Sequence, residues 1–300
     1  MPFRVMGIVN VTPDSFSDGG DFLDAGAAIA HARELVEQGA HILDVGGEST
    51  RPGAEPVAAD EELRRVLPVL EGIAAADLDV QVSIDTSKAE VARAAIAAGA
   101  VIVNDVTALR GDPAMVATIA ESGVGCCLMH MLGEPRTMQR EPRYGDVVDD
   151  VKAFLEERLG FAVGNGVREE RVMLDPGIGF GKTTAHNLEL LARLGELVAL
   201  GRPVVVGTSR KTFLGRIVAE SAGASEPVDA AGRLPGPVAT NVDAAGRLPG
   251  TIATNVLALE RGASVFRVHD VAAVRDALAV AAATLGGRWT ARAGTTTQTS

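Results

Sequence analysis

Eight times along this chain an apolar, largely β-branched run ends at a polar or charged residue. Val5–Val9 runs into Asn10, Ile42–Val45 surrounds Asp44 and leads to Arg51, and Val80–Ile84 ends at Asp85. Val101–Val103 ends at Asn104, Val124–Met129 at His130, and Val172–Leu174 at Asp175. Pro203–Val206 leads to Ser209-Arg210-Lys211, and Ser264–Phe266 to Arg267 and His269. Helical patterns separate them: Ala25–Gln38, Asp60–Ala76, Lys88–Ala98, Pro113–Ser122, Asp146–Asn165, His186–Leu200, Thr212–Ala222 with Thr251–Arg261, and Val271–Leu285. Most carry apolar residues at i, i+3, i+4 spacing, and Ser87 and Asp270 stand where helix caps are expected. Regular strand–helix alternation implies right-handed crossovers and a parallel sheet. Eight such units in about 250 residues give an α/β fold, a (β/α)8 TIM barrel forming one domain, with its active site at the carboxyl ends of the strands. The strand-end residues are therefore a first draft of the site.

With 47% hydrophobic residues among 300, the chain can bury one large core. A net charge of −11 and a pI near 5.0 argue against nucleic acid or an anionic membrane as partner. A local anion site remains open, because Arg51, Arg210, Lys211, Arg267 and His269 fall among the strand ends. Cys126 and Cys127 are neighbours in an apolar strand, so they point to opposite faces and read as inert buried thiols. No charged leader precedes a signal-type stretch, and no apolar run reaches the roughly 18 residues of a membrane span; a cytoplasmic protein is expected.

The barrel is expected over residues 1–285, with a disordered tail at 286–300. Three connections exceed what a barrel needs: Val11–Asp24, Gly46–Ala59 and Leu132–Gly145. Val228–Asn241 recurs at once as Val242–Asn255, differing only at Pro237/Thr251 and Val238/Ile252. This reads as a tandem duplication. The second copy runs directly into the helix ending near Arg261, so Val228–Asn241 is expected as a surface protrusion.

Asn10–Gly20 is full of hydrogen-bonding side chains, while Pro13, Gly19 and Gly20 exclude regular structure. In Asp44–Gly53, glycines admit a ligand close to the backbone and Arg51 offers a rigid fork for phosphate. Asp85 and Asn104, on adjacent strands, suit a heterocycle bearing N–H and C=O groups; capping of the next helix is the alternative for Asp85. Asp175-Pro-Gly-Ile-Gly-Phe-Gly-Lys182-Thr fails the P-loop pattern, since Pro176 stands at its first glycine. What remains is a buried carboxylate, able to accept two N–H bonds from a guanidine-like ring edge, before a thin loop. Ser209 is placed to cap a helix whose free N–H groups form an anion site. Lys211 reads as a charge and stacking group, with a Schiff-base role as the alternative. Arg267 and His269 share one side of their strand and with Asn10 and Arg51 make a phosphate or diphosphate clamp. His130 reads as a satisfied core histidine or as a catalyst.

Taken together, Asn10–Gly20, Asp44–Gly53, Ser83–Ser87, Asn104-Asp105, Leu128–Met131, Asp175–Asn187, Ser209–Lys211 and Arg267–Asp270 resemble the dihydropteroate synthases of folate biosynthesis, in order and over essentially residues 4–285. The resemblance implies condensation of 6-hydroxymethyl-7,8-dihydropterin diphosphate with 4-aminobenzoate through a dissociative, carbocation-like step. It implies a pterin pocket of Asp85, Asn104, Met129, Asp175, Phe180 and Lys211. It places 4-aminobenzoate among Phe16, Thr50, Arg51, Pro52, Ser209 and Lys211, and diphosphate on Asn10, Arg51, Arg267 and His269. Mg2+ would sit on Asn10, with Asp18 closing over the reacting centre and a homodimer as the assembly. The catalytic set so implied is Asn10, Asp18, Arg51, Asp85, Lys211, Arg267 and His269. A corrinoid-type pterin methyltransferase shares the barrel and the pterin carboxylates and is the alternative; so is a sulfonamide-insensitive form of the synthase, given the duplication. A lysine-dependent aldolase and a binder disabled by the duplication are further rivals.

Overall fold

The computed structural model describes residues 2–12, 21–50, 54–221 and 246–287. Strands β1 (Arg4–Asn10), β2 (Ile42–Gly46), β3 (Gln81–Asp85), β4 (Ile102–Asp105), β5 (Gly125–Met129), β6 (Val172–Asp175), β7 (Val205–Val206) and β8 (Val265–Val268) pair in parallel, in the order β6-β5-β4-β3-β2-β1-β8-β7. A parallel bridge between Leu174 and Val204 joins the two ends of that order. The sheet is thus closed into the eight-stranded barrel that the repeating pattern implies. Helices α1 (Asp21–Glu37), α2 (Ala59–Ala75), α3 (Ala89–Ala97), α4 (Met115–Ser122), α5 (Val147–Gly164), α6 (Thr184–Ala192), α7 (Leu194–Val198), α8 (Thr212–Ser221), α9 (Leu248–Glu260) and α10 (Val271–Gly286) form the outer ring.

Two apolar layers follow from side chains alternating across each strand. The lumen is filled by Met6, Ile42, Ile102, Cys127, Met173, Val205 and Val265, all buried. The opposite faces, among them Leu43, Val103, Cys126, Leu128, Leu174 and Phe266, pack against helix residues such as Leu35, Leu70, Ile119, Leu155 and Leu278. Fully burying one such side chain stabilises by about 1.5–3 kcal/mol. Cys126 and Cys127 are free, buried and in separate layers.

Several local expectations change. The helix expected over His186–Leu200 breaks at Arg193, where the chain turns so that Leu194 and Leu197 are fully buried. Ser87 does not cap α3: the helix begins at Ala89, whose N–H is instead accepted by Asp112 Oδ2 at 2.9 Å. Asp270 stands at the N-cap of α10 without a capping bond, because its carboxylate is taken by Arg210. Of the second repeat copy, Leu248–Asn255 lies in α9, with Pro249 in its first turn, where a missing N–H costs nothing. The expected protrusion at Val228–Asn241 lies outside the described residues, as does all of the tail beyond residue 287.

Candidate active site

The inward positions nearest the carboxyl ends of the strands are polar, and they are cross-linked. Asp44 of β2 is fully buried. Its Oδ2 accepts from Arg267 Nε at 2.6 Å and from Asn104 Nδ2 at 3.0 Å. Arg267 Nη2 then donates to Asp85 Oδ2 at 2.7 Å. One guanidinium on β8 therefore bridges carboxylates on β2 and β3 while the Asn104 amide on β4 completes the group. Burial opposes the Arg267 charge, but Asp44 and Asp85 overcome it and hold the guanidinium protonated beyond its ordinary range. Burial, opposed by Arg267 and aided by Asp44, pushes the Asp85 carboxyl up to about 7. Asp85 thus faces the lumen and does not cap α3. Asp44 Oδ1 and Ser83 Oγ, on register-paired residues, are buried without a partner among the described residues. The Asp44 hub was missed as a site residue in the sequence; a lone carboxylate inside Ile-Leu-Asp-Val, a run that must be buried, is the signal that marks it.

Asp175 ends β6 opposite Met129 of β5 and is 6% exposed. Its Oδ1 accepts from Gly177 N at 2.6 Å. Burial raises its pKa, with that N–H, Lys211, Arg267 and Lys182 opposing. Gly177 has φ +65°, and a Cβ there would fall 1.9 Å from His130 O; only glycine lets this loop lie flat on β5. Phe180 packs on Val106, Met129, Met131 and Met138, giving the mouth an apolar wall. Behind the loop, Lys182 Nζ is 2.8 Å from His130 Nδ1 and donates to Phe180 O at 3.0 Å. Burial and then Lys182 drive His130 down to about 2. Burial, opposed by Asp175, brings Lys182 down to about 7. His130 is therefore a neutral acceptor in the core, the blander of its two readings, and Lys182 is the partner that the sequence did not reveal.

Across the mouth, Lys211 Nζ lies 4.1 Å from the centre of the Phe180 ring, a cation–π contact. Burial and Arg267 lower Lys211 to about 8, against Asp175 and Asp85. Ser209 is not a helix cap. Helix α8 opens at Thr212, and Ser209 Oγ instead lies 2.9 Å from His269 Nδ1 while accepting from His269 N at 3.1 Å. Because the hydroxyl already accepts from that N–H, its own proton is available to Nδ1, which favours the tautomer with the ring proton on Nε2. Between Ser209 and Lys211, Arg210 has φ +58° and turns away to pair with Asp270.

Asn10 ends β1 half-buried beside Gly46, which in turn pairs with Asp85. Thr50 is half-buried in the loop after β2. The root of that loop is held from below: Lys88 Nζ pairs with Glu48 and, at 2.6 Å, with the fully buried Glu62 of α2. Neither Lys88 nor Glu62 was marked in the sequence. Phe16, Asp18, Arg51 and Pro52 lie outside the described residues. The structure thus gathers Asn10, Asp85, Asn104, Met129, Asp175, Phe180, Ser209, Lys211, Arg267 and His269 at one end of the barrel. Its depth is lined by carboxylates and an amide for a flat polar ring, and one side carries cations and a helix N-terminus for an anion.

Fold and mouth define a (β/α)8 enzyme that takes a polar heterocycle beside an anionic group. The family described as pterin binding enzymes matches residues 6–269. Dihydropteroate synthase of Escherichia coli (strain K12) is 43% identical over 285 residues, covering 95% of this chain and 93% of the relative. The structure of the Xanthomonas albilineans dihydropteroate synthase with 4-aminobenzoic acid is 47% identical at a TM-score of 0.81, covering 94% of this chain and 93% of that one. The same organism's enzyme in complex with 7,8-dihydropteroate is 44% identical at a TM-score of 0.78, with the same coverage. The chain belongs to the pterin-binding enzymes and, within them, to the dihydropteroate synthases.

Proposed function

We propose that this barrel condenses 6-hydroxymethyl-7,8-dihydropterin diphosphate with 4-aminobenzoate, giving 7,8-dihydropteroate and diphosphate. The observation that carries the reading is the pairing of two unlike subsites through Lys211. On one side lie Asp85, Asn104 and Asp175; on the other lie Ser209, His269 and the start of α8. The Asp175 carboxylate and the Asn104 amide take the N–H and C=O edges of the pterin, with Met129 and Phe180 as its apolar walls. Asn10, Arg51, Arg267 and His269 take the diphosphate. Phe16, Thr50, Arg51, Pro52, Ser209 and Lys211 take 4-aminobenzoate, its carboxylate at the N-terminus of α8, and Asp18 belongs to the catalytic set.

The bond from the pterin methylene to oxygen breaks first, and diphosphate leaves with the electron pair. The amine then supplies the pair for the new C–N bond and loses a proton to solvent. Arg267 and His269 stabilise the leaving anion; one donor aimed at developing charge is worth about 3 kcal/mol. Asp85 and Asp175 favour positive charge on the ring. No protein nucleophile takes part.

Among the described residues no group of three or more His, Cys, Asp or Glu side chains is arranged to hold a metal. Mg2+ fits instead as an ion brought by the diphosphate, with the hard amide oxygen of Asn10 as its protein donor. When bound it neutralises charge on the leaving group.

A homodimer is the proposed assembly, built on the outer helices. Leu257 of α9 and Val280 and Leu285 of α10 are 45%, 68% and 56% exposed, apolar surface for a second copy. No described helix is long and apolar enough to cross a membrane, and the proposed location is the cytoplasm. The test of function is turnover with both organic substrates and Mg2+. Formation of 7,8-dihydropteroate with one diphosphate released per product supports the synthase; no dihydropteroate from the two substrates, or methyl transfer to a corrinoid, overturns it.

A further inference from the structure

The turn between β7 and α8 holds a residue where a side chain is strained. Lys211 N donates to Thr208 O at 3.1 Å, so Arg210 is the third residue of a four-residue turn. Its φ of +58° is the geometry usually left to glycine at that position. The groups that hold it come from elements far along the chain. Thr251 Oγ1 accepts from Arg210 N at 3.1 Å, and Arg247 Nη1 donates to Arg210 O at 3.1 Å. Asp270 takes the guanidinium with two bonds, of 3.0 and 2.6 Å. The hydroxyls of Thr254 and Thr208 lie 2.8 Å apart. Arg247, the N-cap of α9, Thr251 and Thr254 stand at i, i+4 and i+7, one face of that helix. Thr251 is fully buried, and its own hydroxyl proton goes to Arg247 O at 3.1 Å, which leaves a lone pair for Arg210.

We infer that Thr251, seconded by Arg247, is a positioning residue for the anion pocket: it fixes the turn that sets Ser209 and the first N–H groups of α8 where the 4-aminobenzoate carboxylate docks. The inference rests on the reading of that turn as the 4-aminobenzoate subsite. Without the Thr251 hydroxyl the Arg210 N–H loses its partner in a part-buried place. The turn then relaxes toward ordinary backbone angles and carries Ser209 with it, while Lys211 keeps its place over the Phe180 ring. The pterin contacts on β3, β4 and β6 are untouched. The duplication bears on the same point. The first copy has Pro237 where the second has Thr251, and proline offers neither hydroxyl nor N–H. The copy that continues into α9 is the one equipped to hold the turn.

The experiment compares the wild type with Thr251→Val, which keeps the shape and removes the acceptor, and Thr251→Ser, which restores it. At saturating dihydropterin diphosphate, Thr251→Val raises KM for 4-aminobenzoate at least tenfold. Its kcat, and its Kd for the pterin by calorimetry, stay within twofold of wild type, and Thr251→Ser behaves as wild type. An unchanged KM in Thr251→Val, or equal losses in KM and pterin Kd, overturns the inference. If Thr251→Val does not fold, Arg247→Met removes the other backbone handle from a half-buried position and is read by the same split. A wild type that releases no diphosphate refutes the proposed reaction, and not the grip on Arg210.

Discussion

The deep part of the mouth and the turn at its edge are held in opposite ways. In the depth, Asp44, Asp85, Asn104 and Arg267 project from β2, β3, β4 and β8 and bind one another. The side chains that form the surface are also its scaffold. At the edge, Ser209 and Lys211 flank a strained residue that α9 and Asp270 hold from outside. Here the scaffold and the binding groups are different residues. The depth therefore loses stability and binding together, whereas the edge can lose binding alone.

The largest expected effect breaks the deep network. Asp44→Ala strips one carboxylate from Arg267 and the only side-chain partner of Asn104 among the described residues, in a fully buried place. A loss of roughly 3 kcal/mol or more in urea unfolding is expected; a loss under about 1 kcal/mol shows that the network does not support the barrel. Next comes Asp175, which stands outside that network, bonded to a backbone N–H and to no side chain among the described residues. Asp175→Asn presents a donor to ring N–H groups, so Kd for the pterin rises roughly 10- to 100-fold with little change in melting temperature. Unchanged affinity refutes the assignment.

The two regions separate by pH as well. Asp85, raised to about 7, takes up a proton as pH falls through that value and loses its carboxylate. Lys211, lowered to about 8, loses its charge as pH rises through that one. The expected kcat/KM profile is a narrow bell, falling about tenfold per unit beyond each limb. Lys211→Arg keeps the charge at all accessible pH and should remove the alkaline limb alone; an alkaline limb that persists assigns it elsewhere. The smallest effect belongs to the edge. In Arg210→Gly, freedom at positive φ offsets a lost pair with Asp270 that is partly exposed, so unfolding free energy shifts by no more than about 1 kcal/mol. A larger loss would place Arg210 among the supports of the fold.

Where the fold follows from period, the sequence reveals it. Runs such as Val101–Val103 before Asn104 and Val172–Leu174 before Asp175 mark strands and name the residues at their tips, and alternation then decides which face the lumen. Partners chosen by the closed barrel do not show in a one-dimensional pattern. Arg267 and Asp44 meet across 223 positions, Lys182 finds His130 through a loop crossing, and Thr251 meets Arg210 only once α9 has packed. The misplaced caps have the same origin: Asp270 and Ser209 each have a standard local role, and each is drawn away by a distant side chain. Sequence identifies both sides of the mouth but does not show that Arg267 sits between the carboxylates, where Asp44 and Asp85 compete for its guanidinium.

Cys126 and Cys127 give the molecule an intrinsic reporter of opening. One thiol faces the helix shell and its neighbour faces the lumen, and burial pushes Cys126 up to about 12, which leaves almost no reactive thiolate while the barrel is closed. A chromogenic thiol reagent therefore stays unreacted in the native ensemble, and the pace at which it couples counts the excursions that part β5 from its surroundings, with no engineered label.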